Sequence, residues 1–231
     1  MIFGGFQKLT LLDYPGKVAC ILFTRGCNFR CSFCHNALLV EGESEKIEAS
    51  EVIAFLKKRQ GILEGVCITG GEPLLQPELE SFIKEVKSLN YSVKLDTNGS
   101  FPEKLKLLVN EGLVDYVAMD IKNSFEKYAE TAGVQNIDID KIKESINFLI
   151  EGKVDYEFRT TVAEGLHTPE DIAKLTQDIV GAKKYFLQNF MDSGNILGGE
   201  NALAPVPEST LTAMLEAALM YVPNSKIRGS N

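Results

Sequence analysis

The stretch TRGCNFRCSFCHNALLV, residues 24–40, carries three cysteines within eight positions. Cys27, Cys31 and Cys34 have the spacing C-x3-C-x2-C and begin two residues after VACILFT, an apolar run typical of a buried strand. Thiolates at this spacing can hold three irons of a cubane [4Fe-4S] cluster, because a tight loop brings all three sulfurs to one side. The fourth iron then lacks a protein ligand and is open to a small molecule, as in catalytic zinc sites.

Two other interpretations of the cysteine loop are a zinc site completed by His35 and an electron-transfer cluster closed by Cys20 or Cys67. His35 adjoins Cys34 directly, which leaves it little freedom to bind the same metal. Cys20 and Cys67 lie inside predicted buried strands, so we assign them to the core as small hydrophobic residues. The loop therefore favours a cluster with one open iron.

The composition predicts an ordinary globular protein. The chain has 231 residues, 45% of them hydrophobic and 24% charged, which predicts one domain over residues 1–231. We expect residues 1–16 and the C-terminal helix and tail, residues 205–231, to pack on that domain. The net charge of −8 argues against nucleic acid or an anionic membrane as partner. Without a secretory signal or a long apolar run, the expected location is the cytoplasm, where clustered thiols are more often metal ligands than disulfides.

Short β-branched runs alternate with longer segments of helical apolar spacing, which predicts six strand–helix pairs. The predicted strands are residues 17–24, 65–70, 91–99, 114–122, 154–162 and 184–190. The predicted helices are residues 49–60, 77–90, 102–111, 140–151, 169–180 and 208–221. Ser50 is the expected N-cap of the first helix.

Six such pairs fit either an open doubly wound sheet or an incomplete barrel. A dinucleotide-binding sheet would need the glycine fingerprint G-x-G-x-x-G at its first helix, which this sequence lacks. We therefore predict an α/β fold of the partial (β/α)6 TIM-type barrel kind. Its chemistry would lie at the carboxyl ends of the strands.

Polar residues follow each predicted strand in the segments TGGEPLLQ (69–76), DTNGS (96–100), MDIKN (119–123), FRTT (158–161) and LQNF (187–190). In a partial barrel all of them would converge on one rim. Gly70 and Gly71 have no Cβ, so their backbone can approach a ligand closely. Glu72 would either add a hydrogen-bond acceptor for that ligand or orient the loop.

The segment CNFRCSFC, in which Phe33 is the aromatic residue before the last cysteine, resembles the signature of the radical S-adenosylmethionine (SAM) superfamily. GGEPLLQ resembles the second landmark of that superfamily and supports a radical SAM fold. The resemblance implies that SAM chelates the open iron. It also implies that an electron from the reduced cluster cleaves SAM to methionine and a 5′-deoxyadenosyl radical. Phe33 would pack on the adenine or shield the cluster from water.

The residues CHN (34–36), together with DTNG and MDIK, resemble the activases of glycyl-radical enzymes. The opening sequence is most similar to activating proteins of anaerobic ribonucleoside-triphosphate reductase. The implied reaction removes a Cα hydrogen from one glycine of a large partner enzyme. Since Cys20 and Cys67 are too few for a second cluster, the electron would come from flavodoxin or ferredoxin.

Three alternatives stay open at this point. The first is an activase of pyruvate formate-lyase or of another glycyl-radical enzyme. The second is a radical SAM enzyme with a small substrate, such as 7-carboxy-7-deazaguanine synthase. The third is a cluster protein that only carries electrons or senses iron.

The resemblance also implies roles for individual residues. Lys122, Arg159 and Asp13 would be catalytic, with Arg159 and Asp13 facing the partner's glycine loop. Asp120 would act near SAM or would share a monovalent cation site with Asp96 and Thr97. The cofactor-binding residues would be Phe33, His35, Asn36, Gly70, Gly71, Glu72, Asp96, Asp120 and Lys122, and Gln188 marks the sixth strand end.

Some of these residues also have plainer interpretations. Asp120 and Lys122, two positions apart on a strand, point the same way and would form an ion-paired rim. Arg159 would then neutralise the acidic side of that rim. His167 precedes the helix start TPE and is expected to be a solvated surface histidine. The segments DSGN (192–195) and GGE (198–200) are expected to form a flexible connection.

Overall fold

The computed structural model of the protein describes residues 1–192, 194–199 and 202–229. The chain divides into two compact units. The first contains Met1–Asn28, Leu38–Ala118 and Lys153–Asp155; the second contains Phe29–Ala37, Met119–Gly152 and the chain from Tyr156 onward. The single domain over residues 1–231 stays a prediction. The expected flexible connection includes residues 193 and 200, which lie outside the described residues.

All six predicted strand–helix pairs are present, with ends that differ by a few residues. The strands are β1 (Ile2–Thr10), β2 (Ala19–Thr24), β3 (Ile47–Glu48), β4 (Gly65–Gly70), β5 (Ser92–Thr97), β6 (Tyr116–Asp120), β7 (Asp155–Val162), β8 (Tyr185–Asn189) and β9 (Ser225–Arg228). The helices are α1 (Ala37–Glu41), α2 (Ala49–Arg59), α3 (Leu79–Ser88), α4 (Pro102–Asn110), α5 (Tyr128–Ala132), α6 (Ile139–Ile150), α7 (Pro169–Asp178) and α8 (Glu208–Leu219).

In the first unit the sheet has the order β3-β1-β2-β4-β5, followed by the first residues of β6. β2, β4 and β5 are parallel, whereas β1 and β3 pair antiparallel at the edge. The sequence does not predict these two edge strands. Gly4 and Gly5 interrupt the alternation in β1, whose register shifts before Gly5. β3 has only two residues, Ile47 and Glu48, which is too short to give a recognisable pattern.

In the second unit β7, β8 and β9 are parallel neighbours. The sequence does not predict β9, which is only four residues long. An ion pair fastens it: the Arg228 guanidinium donates to both oxygens of buried Glu157, at 2.6 and 2.9 Å. The same guanidinium stacks over the Phe186 ring, 3.8 Å from its centroid. β9 is thus held by side chains as well as by its backbone pairing.

The starts of α7 and α2 show where a local capping signal in the sequence is present in the structure and where it is not. α7 begins with a capping box, in which Thr168 and Asp171 each accept a hydrogen bond from the backbone amide of the other. The predicted N-cap at Ser50 is wrong, because α2 already begins at Ala49 and Glu48 is extended without a capping hydrogen bond. Ser50 therefore sits inside the first turn rather than at its start.

The apolar core of the first unit includes a cluster made by Tyr14, Ala19, Ile21, Cys67 and Tyr116. Cys20 and Cys67 are fully buried, which confirms their assignment to the core. Burial raises the pKa of the Cys20 thiol to about 12, so it stays protonated at neutral pH. None of the helices within the described ranges has the length and apolar character needed to cross a bilayer.

Candidate active site

The loop after β4 is packed backbone to backbone against the start of the cysteine loop. Gly70 has φ of 112°, and a Cβ there would lie 2.4 Å from the Thr24 nitrogen. A Cβ on Gly71 would lie 1.9 Å from the carbonyl oxygen of Gly26, the residue before Cys27. The Glu72 amide donates to that same oxygen at 2.9 Å. Both positions therefore require glycine, because neighbouring backbone occupies the place where a Cβ would lie. The close approach of this backbone to a ligand stays a prediction.

Glu72 is completely buried, with 0% of its surface exposed. Its carboxylate accepts hydrogen bonds from the amides of Leu74 and Asn98, at 3.0 and 2.7 Å, and from the Thr97 hydroxyl, at 2.8 Å. These contacts join the loop after β4 to the loop after β5. Of the two roles left open for Glu72, they favour the orientation of the loop.

Cys27 lies in a small amide network of the first unit. The Asn98 side chain donates to Asn28 Oδ1 at 2.9 Å and lies 3.9 Å from Cys27 Sγ. Asn28 in turn donates to the Ser100 hydroxyl at 2.9 Å. Hydrogen bonds to cluster sulfurs tune the reduction potential of iron–sulfur centres. Asn98 is therefore placed to influence this thiolate.

Asp96, at the end of β5, pairs with a lysine two positions earlier. Lys94 Nζ donates a short hydrogen bond to Asp96 Oδ1, and the exposed fractions of the two side chains are 3% and 15%. Residues two positions apart on a strand face the same side. The carboxylate of Asp96 thus carries its own positive partner.

Asp13 lies in an exposed turn after β1. Its carboxylate accepts a short hydrogen bond from the Thr10 hydroxyl, and the amides of Leu12 and Asp13 donate back to that hydroxyl at 3.2 and 3.3 Å. The turn is therefore well defined. A role of Asp13 toward a partner stays a prediction.

In the second unit, the segment with Cys31 and Cys34 is held on both flanks. The Arg30 amide donates to Ala132 at the end of α5, and the amides of Leu197 and Gly198 donate to Cys34 and Ser32, at 2.8, 3.0 and 2.9 Å respectively. A Cβ on Gly133 would lie 2.1 Å from the Arg30 carbonyl oxygen. The shape of the loop therefore depends on chain segments far downstream.

Phe33 is buried and packs on His167, with ring centroids 6.3 Å apart. Lys122 Nζ lies 5.9 Å from the Phe33 ring centroid. The prediction that His167 is a solvated surface residue is wrong, since only 4% of it is exposed. His167 accepts from the Ala163 amide at 3.3 Å through Nδ1, so Nε2 carries the proton and donates to the Lys122 carbonyl at 2.8 Å.

Asp120, Lys122 and Arg159 form one ion-pair group at the end of β6 and within β7. Arg159 Nε lies 2.8 Å from Asp120 Oδ1, and Lys122 Nζ lies 3.3 Å from Asp120 Oδ2. Burial alone would raise the pKa of Asp120, but the two cations outweigh it and lower that pKa to about 2. The predicted ion-paired rim is therefore present in this unit, with Arg159 neutralising it. The catalytic roles of these residues stay predictions.

The remaining predicted residues are His35, Asn36 and Gln188. His35 stacks on Phe190, with centroids 5.6 Å apart, and desolvation lowers its pKa against the opposing charge of Asp192. Asn36 is half-buried directly before α1, and Gln188 is half-buried in β8. Cofactor binding by these residues stays a prediction.

The donor chemistry of the cysteine loop suits an iron–sulfur cluster. Cys27, Cys31 and Cys34 form no disulfide bond, and the two remaining cysteines are buried in the core. Within the described ranges, no group of three or more histidine, cysteine, aspartate or glutamate side chains is arranged to hold a single metal ion. The case for a cluster therefore rests on the three thiols and on the close packing of Gly70 and Gly71 against the backbone at the start of the cysteine loop.

A sequence model described as the Radical SAM superfamily matches residues 21–179. The chain belongs to the radical SAM superfamily. The match covers more than half of the chain, including the cysteine loop, the glycine loop after β4 and the ion-pair group of Asp120. The superfamily resemblance predicted from the two motifs is thus confirmed.

Three relatives of this radical SAM chain point to two kinds of enzyme. A Methanocaldococcus jannaschii protein provisionally named a glycyl-radical enzyme activating enzyme is 31% identical, over 98% of this chain and 95% of its own. The pyruvate formate-lyase-activating enzyme of Staphylococcus epidermidis is 28% identical, over 75% of this chain and 73% of its own. The 7-carboxy-7-deazaguanine synthase of Thermoplasma acidophilum is 28% identical, over 63% and 66%.

Solved structures confirm the predicted fold class, an α/β partial TIM-type barrel of the radical SAM kind. The crystal structure of Streptococcus suis SuiB matches with a TM-score of 0.70 at 15% identity, over 91% of this chain and 49% of SuiB. This radical SAM chain thus spans about half the length of SuiB. SuiB has also been crystallised with S-adenosylmethionine, and that structure matches with a TM-score of 0.69.

The sequence did not single out three residues that contact the predicted site of this radical SAM protein. Lys94 looks like a solvent-facing lysine in an alternating strand. Asn98 is part of the quoted DTNG motif. The position of that motif at a predicted strand end was the only sequence signal that pointed to Asn98, and nothing in it indicated the contact with Cys27. His167 looked like a residue near a helix start, and nothing in its local sequence indicates burial.

Proposed function

We propose that this chain is an activase that converts one glycine of a partner enzyme to a backbone radical, and that the partner is anaerobic ribonucleoside-triphosphate reductase. The observation that carries the activase class is the similarity to the Methanocaldococcus jannaschii protein, which spans 98% of this chain and 95% of that one. The choice of the reductase is supported by the opening sequence, GGFQKLTLLDYPGK, which resembles activating proteins of that enzyme.

Cys27, Cys31 and Cys34 would hold three irons of a [4Fe-4S] cluster and leave the fourth open for the amino and carboxylate groups of SAM. When bound, the reduced cluster supplies the electron that cleaves SAM to methionine and the 5′-deoxyadenosyl radical that takes the glycine hydrogen. Membership of the radical SAM superfamily supports both cofactors. Cys20 and Cys67, buried and protonated, would stay outside this chemistry.

The chain's own residues would bind and orient SAM. The backbone of Gly70 and Gly71 would approach the amino-acid part of SAM, while Glu72 holds the loop in place from within the core. Phe33 would pack against the adenine, and His35 and Asn36 would line the same loop. The residues expected to share a monovalent cation are Asp96, Asp120 and Thr97. Their contacts within the protein do not support the binding of that cation.

Lys122 and Asp120 would act on SAM as a pair. Lys122 Nζ is held 3.3 Å from Asp120 Oδ2, so its ammonium is already oriented before SAM arrives. Arg159 Nε donates to Asp120 Oδ1 at 2.8 Å. Since a guanidinium has five donors, Arg159 would also donate to the peptide carbonyls of the partner's glycine loop. Asp13, presented by an exposed turn, would contact the same loop.

The proposed partners are the large glycyl-radical enzyme and a flavodoxin or ferredoxin that delivers one electron. The five cysteines of the chain support an external donor, since three in the loop and two in the core leave none for another cluster. The acidic net charge of −8 supports a protein partner rather than a nucleic acid or membrane. The proposed location is the cytoplasm.

The test is anaerobic reconstitution with iron and sulfide, followed by incubation with SAM, a one-electron reductant and purified anaerobic reductase. Electron paramagnetic resonance should show a doublet on the reductase that disappears when its radical-bearing glycine is changed to alanine. A doublet on pyruvate formate-lyase alone would keep the activase class and replace the partner. The absence of a doublet on any glycyl-radical enzyme, with SAM consumed normally, would contradict the proposal.

A second candidate is a radical SAM enzyme with a small substrate. The match to 7-carboxy-7-deazaguanine synthase favours it, although that match covers 63% of this chain against 98% for the activating-enzyme relative. SAM turnover stimulated by a small metabolite, without any protein partner, would favour this candidate. An electron carrier or iron sensor would instead show no change in the spectrum of its reduced cluster when SAM is added.

A further inference from the structure

Lys94 is an unusual residue for its place in the fold. It lies in the middle of β5, opposite Cys67 of β4, with its side chain only 3% exposed. Isolated charges are rarely buried to this degree, because removing an ammonium from water costs several kcal/mol unless a partner compensates it. Here the partner is Asp96, which shares its face of the strand and accepts a short hydrogen bond from Lys94 Nζ.

The other two residues expected to bind a monovalent cation are also engaged within their own units. The Thr97 hydroxyl donates to Glu72 at 2.8 Å and accepts from the Gly99 amide at 3.1 Å. Asp120 is paired with two cationic side chains, Arg159 and Lys122. One carboxylate oxygen of Asp96, both carboxylate oxygens of Asp120 and the Thr97 hydroxyl thus already face a positive charge or a hydrogen-bond donor of the protein.

A cation bound at Asp96 would have to share that carboxylate with the Lys94 ammonium. Two positive charges at one carboxylate repel each other strongly at low dielectric, where screening by water is weak. Displacing Lys94 would leave its ammonium buried without a partner. A monovalent cation is therefore disfavoured at Asp96 on both counts.

We propose that Lys94 is a positioning residue whose ammonium takes the place of an inorganic monovalent cation beside Asp96. Lys94 fixes the Asp96 carboxylate and supplies the positive charge that this part of the cofactor site needs. The enzyme therefore binds its cofactor equally well in sodium, potassium or a bulky organic cation. The part that concerns SAM rests on the proposed function, whereas the exclusion of the cation does not.

The first measurement is direct cation binding to the anaerobically reconstituted protein. Thallium(I), a potassium substitute, is followed by the broadening of its nuclear magnetic resonance line, with and without SAM. The wild-type protein should give no saturable broadening that depends on Asp96. Saturable thallium binding to wild type that Asp96→Asn abolishes would overturn the proposal, whatever the enzyme's activity.

The second measurement uses Lys94→Met, which keeps an unbranched side chain one atom shorter and removes its charge. This variant should gain saturable thallium binding, and the double variant Lys94→Met/Asp96→Asn should lose it again. SAM affinity of Lys94→Met should fall about tenfold in choline chloride, because a buried carboxylate loses its partner, and should recover in potassium chloride. Lys84→Met, which breaks exposed ion pairs with Glu80 and Glu111, is the matched control and should change neither property.

If Lys94→Met does not fold in any salt, Lys94→Arg replaces it. Arginine keeps the charge and should retain cation-independent SAM binding, a result that a purely structural lysine would not require. A folded Lys94→Met that neither binds thallium nor responds to potassium would overturn the proposal. Loss of SAM binding by wild type in every salt, with the thallium results as expected, would contradict the proposed function and leave the role of Lys94 standing.

Discussion

The carboxylate of Glu72 accepts a 2.7 Å hydrogen bond from the backbone amide of Asn98. This bond crosses from the loop after β4 to the loop after β5, and the neighbouring Thr97 hydroxyl supports it at 2.8 Å. Asn98 in turn lies beside Cys27. The glutamate of the GGEP motif thus links two loops of the first unit to the environment of one proposed iron ligand.

Glu72→Gln should destabilise the fold strongly. A glutamine has one acceptor oxygen where the wild-type carboxylate has two. Its NH2 group would face a buried donor that bonds to the carboxylate in the wild type, so that donor would lose its partner. We expect the free energy of unfolding to fall by about 2–4 kcal/mol in urea titrations. Glu80→Gln, on the exposed face of α3, should cost less than about 1 kcal/mol. Equal losses in the two variants would contradict this role of Glu72.

Gly71→Ala should damage the cysteine loop. Its Cβ would lie 1.9 Å from the Gly26 carbonyl oxygen, and backbone cannot move away as a flexible side chain can. We expect a loss of about 1–3 kcal/mol in stability and fewer irons per chain after reconstitution. Gly112→Ala meets no atom within 4 Å but has φ of 67°, so it should lose stability through backbone strain and keep its full iron content, which separates strain from damage to the cysteine loop. Full iron content in Gly71→Ala would argue against contact between this loop and the cluster segment.

The five cysteines should divide into two groups when each is changed to alanine. Loss of Cys27, Cys31 or Cys34 should abolish the spectrum of a [4Fe-4S] cluster, because a cluster needs its thiolate ligands. Loss of Cys20 or Cys67 should lower stability by about 1 kcal/mol through a small cavity and leave the iron content unchanged. Iron loss in Cys20→Ala or Cys67→Ala would revive a cluster closed by a fourth cysteine.

Acid should destabilise the protein partly through His167. Burial lowers the pKa of this histidine, with Asp171 opposing and Lys127 adding to the effect. The unfolded chain takes up the proton near the ordinary pKa of 6.5, whereas the folded chain resists it. The stability that His167 contributes is therefore complete above pH 6.5 and is lost as pH falls toward its folded pKa.

His167→Gln is the variant that tests this pH dependence. Its amide can still donate to the Lys122 carbonyl, but it does not titrate. Urea titrations should find it about 1 kcal/mol less stable than wild type at pH 8, with the difference shrinking in acid. Stability curves that stay parallel from pH 8 to pH 5 would contradict the buried neutral histidine.

Asp120 and Arg159 should be energetically coupled. Their 2.8 Å contact is charge-assisted, but the Asp120 side chain keeps 35% exposure, so water weakens the attraction. A double-mutant cycle with alanine at both positions should give about 1 kcal/mol of coupling in stability. The fully surface pair of Lys174 and Glu126 should give nearly none. A coupling as small for Asp120 and Arg159 would remove the basis for a preorganised ion-pair group.

The alternation of strands and helices could be predicted because each parallel strand is a short apolar run and each helix has an apolar stripe. The cysteine loop could be predicted from the spacing of its three thiol ligands. The glycine loop after β4 could be predicted because two successive glycines have no side chain to prevent close backbone approach. β1 could not, since Gly4 and Gly5 hide its alternation and its pairing is set by β2. Edge pairing is a tertiary effect that local propensity does not contain.

Lys94 and His167 escaped prediction for a related reason. In a strand with one face exposed, the lysine of SVKLDT would point to solvent, but both faces of β5 are covered. Its partner Asp96 lies two positions away, so the pair is visible in sequence only once burial is known. His167 depends on backbone groups of Lys122 and Ala163, whose approach no local pattern encodes.

The cysteine loop is made early in synthesis, but the backbone groups that brace it, at Ala132, Leu197 and Gly198, are made much later. A nascent chain therefore exposes three thiols whose loop has not yet acquired its final form. We expect iron delivery to productive molecules to wait until the ribosome has released most of the polypeptide. Truncated chains should consequently bind iron only weakly, through thiols on an unstructured loop, and should lose it to any chelator.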